Sequence, residues 1–250
     1  MKHEFKAQFD GKGEASISAF MLVPSKFQIK PWFPNGVGLQ YLYSLTAKVV
    51  GAAGESTSKT IRIGFRTVKL IQKRLPSTEE AYSFYFEVNN LPIFSKGSNW
   101  IPAHVLHESY SEEYIRDLLI SAKLANMNML RVWGGGIYED DRFYEIADEY
   151  GILIWQDMMF ACALYPTDPQ FLSSVQVEIR QQVRRLQHHP SIALWAGNNE
   201  NEAAITGLWW PELALHMVSL QGMLFYLLKV NDSLHRTSTG RTTERCTSTQ

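Results

Sequence analysis

Between Phe5 and Glu87 the chain runs in short apolar–polar alternations. Ser16–Val23 (SISAFMLV), Leu39–Val50 (LQYLYSLTAKVV), Lys59–Leu70 (KTIRIGFRTVKL) and Tyr82–Val88 (YSFYFEV) carry the two-residue period of half-buried strands. Turn chemistry separates them: Asp10-Gly-Lys-Gly, Pro34-Asn-Gly, Gly51-Ala-Ala-Gly and Leu75-Pro-Ser. Regular short strands with Gly/Pro punctuation predict an antiparallel, immunoglobulin-like β-sandwich over residues 1–90. The segment Pro31-Trp-Phe-Pro-Asn-Gly-Val-Gly38 stands apart. It reads either as a plain connection or as a loop reaching toward a neighbouring domain.

The pattern changes near Leu91. Pro92-Ile-Phe-Ser-Lys-Gly reads as a strand leading into Ser98–Pro102. Ser111-Glu-Glu-Tyr then opens a helix, with Ile115, Leu118, Leu119, Ala122 and Leu124 at helical spacing. Met129–Trp133 is a second strand, closed by Gly134-Gly-Gly136, and Asp140 or Asp141 starts a second helix that ends near Tyr150-Gly151. Ile152–Trp155 is a third strand, 169–188 a third helix and Ile192–Trp195 a fourth strand. Strand and helix in alternation predict a parallel sheet with right-handed crossovers. Four such units over residues 91–206 fit either the first half of a (β/α)8 TIM barrel, the expected reading, or a doubly wound sheet, so the fold class is multidomain β plus α/β.

Composition changes this picture little. At 45% hydrophobic and 20% charged it is ordinary globular sequence. The net charge of −1 gives no electrostatic case for nucleic acid or a membrane surface. No apolar run reaches the 18 residues that a spanning helix needs. Met1–Lys6 is not followed by the apolar core of a signal peptide. Cys162 and Cys246 are too few for a disulfide framework. No GxGxxG or phosphate loop opens a helix, because Gly134-Gly-Gly136 lacks the spacing, which argues against a nucleotide-dependent enzyme. No cofactor and no metal is called for.

The chemistry gathers at the strand ends. Lys96 and Asn99, Arg131, Asp157, then Asn199 and Glu200 follow successive strands. In α/β barrels that rim carries the active site. Glycoside hydrolysis needs two carboxylates about the scissile bond, one of them a general acid with a raised pKa. Glu200 follows its strand directly and is favoured over Glu202, two residues on. The competing reading makes both of them helix N-terminal acids favoured by the macrodipole. Asn199 offers an amide to a sugar hydroxyl.

Several stretches together resemble glycoside hydrolase family 2, most closely its animal enzymes that cleave β-mannosides. They are Lys96-Gly-Ser-Asn-Trp-Ile-Pro102, Leu130-Arg-Val-Trp-Gly-Gly-Gly-Ile-Tyr-Glu139, Trp155-Gln-Asp157, Phe160-Ala-Cys-Ala-Leu-Tyr-Pro166 and Gly197-Asn-Asn-Glu-Asn-Glu202. Arg66-Thr-Val-Lys-Leu70 and Pro34-Asn-Gly36 extend the likeness, which runs from about residue 15 to 205. It implies a retaining exo-hydrolase that removes terminal β-linked mannose from glycans and resides in the lysosome. It implies Glu200 as acid/base and Asn199 beside the scissile bond. Arg131 matches an arginine that orients the nucleophile, Trp133 a position in the sugar-binding wall, and Asp157 a neighbouring strand end. Core packing is the competing reading for Trp133, and the favoured one for Trp195.

The resemblance breaks after Ile205. The family's nucleophile carboxylate comes from a later strand, and neither Glu212 nor Glu244 fits that role. Residues 207–250 read as a divergent tail, and Asn231–Gln250, rich in Ser, Thr and Arg, as disordered. Asn231-Asp-Ser233 fits a glycosylation pattern inside it. The expectation is a partial enzyme that does not hydrolyse β-mannosides alone, with open sheet edges that lower its stability. The alternative is a non-catalytic module that binds glycans or a protein partner.

Overall fold

The structure is a computed structural model that describes residues 2–76, 81–106, 109–205 and 209. The chain forms two compact units, Met1–Lys30 and Pro31–Gln250. In the first unit the strand expected at Ser16–Val23 does not form, and residues 2–30 hold only two turns. Asp10 organises one of them, its Oδ1 accepting from the amides of Lys12 and Glu14 at 2.9 Å each. The reason is physical: alternation makes a strand only where a partner strand accepts its hydrogen bonds. No pairing involves these residues, and Phe20 is 100% exposed.

The second unit begins with antiparallel structure. β1 (Tyr43–Val50) and β2 (Ser56–Ile63) form a hairpin. β3 (Val68–Ile71), β4 (Tyr85–Val88) and β5 (Leu91–Ile93) form a separate three-stranded sheet in the order β3-β4-β5. Asn89 and Asn90 join β4 to β5 with φ of 51° and 65°, the left-handed pair that a tight two-residue hairpin requires.

The strand expected over Lys59–Leu70 is two strands in two sheets. Between them the chain presses on its neighbours. A Cβ at Gly64 would lie 2.7 Å from Pro190 Cγ. Arg66 donates through Nε to the Pro190 carbonyl at 3.0 Å and through Nη2 to the Ile192 carbonyl. Binding those carbonyls turns the backbone away from its first partner.

β6 (Gly97–Trp100), β7 (Met129–Val132), β8 (Leu153–Asp157) and β9 (Ile192–Ala196) form one parallel sheet in chain order. The helices between them start where short polar side chains cap them. Ser111 caps α1 (Glu112–Leu124), Asp140 caps α2 (Asp141–Tyr150) and Asp168 caps α3 (Pro169–Leu186). A short α4 (Asn201–Ile205) follows β9. Of the expected α1 core positions, Ile115 and Leu119 are buried and Leu118 and Ala122 half-buried, but Leu124, the last residue of the helix, is 76% exposed. α3 buries Val175, Ile179, Val183 and Leu186, one stripe at i, i+4, i+8 and i+11.

Strand alternation divides the parallel sheet into two faces. Leu130, Val132 and Ile154 face α1 and α2 with Phe143, Tyr144 and Ile146. On the other face Met129 and Leu153 pack against Trp32, Phe86, Val88 and Ile93. The antiparallel half thus covers the start of that face, and the polar residues lie at its far end. The Pro31–Gly38 loop is the link, not a plain connection. Trp32 is fully buried, and the Asn35 side-chain amide donates to the carbonyls of Lys123 and Met127 at 3.0 and 2.9 Å.

Expectations placed on residues 210–250, including Glu212, Glu244 and Asn231, lie outside the described residues.

Candidate active site

Arg131 and Trp155 are register partners on β7 and β8, and Asp157 is two residues further along the same face. Arg131 grips Asp157 with two bonds, Nη2 to Oδ2 at 2.7 Å and Nε to Oδ1 at 3.3 Å. The guanidinium lies over the Trp155 ring, 5.3 Å from its centroid. Asp157 also accepts from the Gly134 amide at 3.0 Å and the Trp155 indole at 2.9 Å. Its side chain is 0% exposed. Burial pushes the Asp157 carboxyl above the ordinary carboxylate value, while Arg131, the Gly134 amide and the Trp155 indole pull against it.

Gly134 has to be glycine. A Cβ there would meet the Met158 and Phe160 carbonyls at 2.7 and 2.9 Å. Only a bare backbone brings that amide down onto Asp157. Trp133, just before it, is half-buried.

Beyond β9 the backbone returns to β8. The Asn199 amide donates to the Phe160 carbonyl at 2.8 Å, and Cys162 N–H donates to the Asn199 carbonyl at 2.9 Å. This parallel bridge carries Asn199 inward, where it is 5% exposed, and leaves Glu200 exposed. Glu200 has φ 56°, an unusual conformation for a side-chain-bearing residue at a strand end. Asn199 accepts at Oδ1 from Arg131 Nη2 at 2.7 Å. Its Nδ2 lies 3.4 Å from Glu200 Oε2 and 3.2 Å from Cys162 Sγ.

Arg131, Asp157, Asn199 and Glu200 are therefore one connected group. The side chains of Lys96 and Asn99 are not bonded to it: Asn99 pairs with Arg131 only along the backbone of β6 and β7 and is exposed, and Lys96 is bonded through its backbone to Asn128. Glu202 is exposed in the first turn of α4. Trp195 packs against the two cores that flank β9.

Two features went unread in the sequence. Cys162 reaches Asn199 and Glu200 only through the β8–β9 bridge, which no local spacing signals. Glu139 is 1% exposed and accepts from the Trp100 indole at 2.9 Å and the Tyr110 hydroxyl at 3.2 Å. An acid directly following the glycine-rich Gly134–Tyr138 turn was the available clue. Among the described residues no cluster of His, Cys, Asp and Glu has a metal-binding arrangement, and no helix is long and apolar enough to cross a membrane.

No protein-family model matches the chain. Goat β-mannosidase is 48% identical over 198 residues, 79% of this chain and 22% of that protein. Mouse β-mannosidase is 50% identical over 73% of this chain and 21% of its own length. The solved β-D-mannosidase of Dictyoglomus thermophilum superposes with a TM-score of 0.69 at 50% identity, over 73% of this chain and 22% of that one. A β-glucuronidase from Bacteroides uniformis, 20% identical with a TM-score of 0.57, shares the fold. The chain spans about a fifth of the length of the curated relatives it matches. Identity near one half across most of this chain makes it a relative of the β-mannosidases, glycoside hydrolases of family 2.

Proposed function

We propose that this chain carries the acid/base half of a retaining β-mannosidase site, for removing terminal β-linked mannose from glycans. The observation that carries the reading is the Asn199–Glu200 pair, an exposed carboxylate beside an inward, fixed amide at a parallel strand end. Glu200 protonates the departing glycosidic oxygen and afterwards takes a proton from the water that completes hydrolysis. Asn199 Nδ2 donates to a sugar hydroxyl, and Trp133 gives the ring a flat apolar wall. Arg131 lines the same site. Its Nη1 has no hydrogen-bond partner among the described residues, which suits it to orient an incoming carboxylate. Asp157 belongs to this wall from beneath.

The reading also takes residues 1–90 as an immunoglobulin-like sandwich, 91–206 as the first half of a (β/α)8 barrel and 207–250 as a divergent tail. A lysosomal location enters on the resemblance to animal enzymes alone. A retaining mechanism needs a nucleophile carboxylate about 5–5.5 Å from the acid. Asp157 is no candidate, because an anion with 0% exposure and four donors cannot attack a sugar. No other described carboxylate joins the group around Glu200, which supports the reading that this chain binds and does not hydrolyse by itself.

The test is release of the aryl group from an aryl β-mannoside by the purified chain and by Glu200→Gln. The expected result is no release by either. Release by the chain that Glu200→Gln abolishes would support the acid/base role and overturn the missing nucleophile. Release that survives the substitution would overturn Glu200.

A further inference from the structure

We infer that Asp157 is a positioning residue for Asn199, acting through Arg131, and that this relay sets which end of the Asn199 amide faces the substrate. A carboxamide has a carbonyl end that accepts and an amino end that donates, and the two have nearly the same shape. Which end points where is fixed only by neighbours of one polarity. An arginine is such a neighbour, since all its polar hydrogens donate. Arg131 Nη2 sits 2.7 Å from the side-chain oxygen of Asn199, so that oxygen is turned down into the sheet. The Nδ2 group is thereby turned toward Glu200 Oε2 and Cys162 Sγ. Asn199 is then a donor to the cleft and never an acceptor there.

Arg131 holds this position because Asp157 holds Arg131. The fork is bound at both Nε and Nη2, and stacking on Trp155 fixes its plane. Asp157 in turn is held by the Gly134 amide and the Trp155 indole. Four groups on two strands and a glycine turn, Arg131, Asp157, Trp155 and the Gly134 amide, thus converge on one amide. The consequence for chemistry is specific. Glu200 Oε2 faces an N–H of Asn199 rather than a second oxygen. A flipped amide would set a lone pair against the carboxylate. This inference rests on the proposed roles of Glu200 and Asn199.

The test is solvent exchange of the Asn199 side-chain amide protons, followed by NMR in the full 250-residue chain. Asn199→Asp assigns the resonance. In Asp157→Asn we expect exchange to speed up by about tenfold or more, as for loss of a charge-assisted hydrogen bond. Backbone amides of β7 and β8 should stay within about twofold of their original protection. Arg131→Lys should give the same pattern, because one ammonium cannot span Asp157 and Asn199 together. It decides the matter if Asp157→Asn fails to fold. An unchanged Asn199 amide in a folded variant overturns the relay. So does a loss of backbone protection by the same factor, since that would be general loosening. The measurement needs no turnover, so a silent mannoside assay and a mobile Asn199 amide are separate results.

Discussion

The indole Nε1 of Trp32 donates to the backbone carbonyl of Asp148 across 2.8 Å. Trp32 precedes the first antiparallel strand, and Asp148 lies on α2 of the parallel-sheet half. One fully buried side chain therefore ties the two together, and packs with Met129 and Leu153 at the start of the strands that carry Arg131 and Asp157. Trp32→Ala is expected to cost about 3–5 kcal/mol. Urea unfolding monitored by far-UV circular dichroism checks this. A loss well under about 1 kcal/mol would show the contact to be incidental.

Gly151 ends α2 in the left-handed conformation, φ 75°. Its carbonyl accepts from the Asn35 amide at 2.7 Å, and a Cβ would come within 2.6 Å of that nitrogen. Gly151→Ala is expected to cost more than the roughly 1–2 kcal/mol of the conformation alone. It should do so without altering helix content, because the damage falls on the seam with Asn35.

Asp148 is buried and bonded on both oxygens. Oδ2 lies 2.6 Å from His189 Nδ1, and Oδ1 accepts from the Ser191 amide at 3.0 Å. Arg66 lies near enough for Asp148 to offset part of the fall in its pKa that burial causes. Asp148→Ala removes the one acid that serves these groups and is expected to cost about 3–5 kcal/mol. Denaturant unfolding should show a lowered midpoint with an unchanged slope.

Glu149 gives a pH dependence. Burial raises its pKa, but hydrogen bonds from Arg116 and Arg62 outweigh that and leave it below the ordinary 4.5. The folded value is depressed, so the stabilisation is complete above about 4.5 and disappears as pH falls through the lower folded value. Thermal unfolding from pH 6 down to pH 3, roughly, should show a steeper decline for the chain than for Glu149→Gln. Equal slopes would remove Glu149 from the acid response.

The parallel half was legible because each signal there is local. Ser111 and Asp140 cap where short polar residues precede apolar helical spacing, and β7, β8 and β9 are apolar runs that end in Gly or polar residues. The polar strand ends gave Arg131, Asp157, Asn199 and Glu200 for the same reason. The antiparallel half was read less well. Ser16–Val23 has the right alternation but no partner, and Lys59–Leu70 is divided by contacts to Pro190 and Ile192, over 120 positions away. Cys162 joins the site through the β8–β9 bridge, another long-range pairing. What remained hidden was in each case set by residues distant in sequence.

The Asn199–Glu200 strand end is proposed to recognise a β-mannoside. The most direct measurement is an NMR titration of the chain and of Asn199→Ala with methyl β-D-mannoside, read at the Trp133 indole resonance. The expected result is a saturable shift for the chain and at least about tenfold weaker binding for Asn199→Ala, the loss of one well-placed hydrogen bond. No shift in the chain, or the same affinity in both proteins, would contradict it.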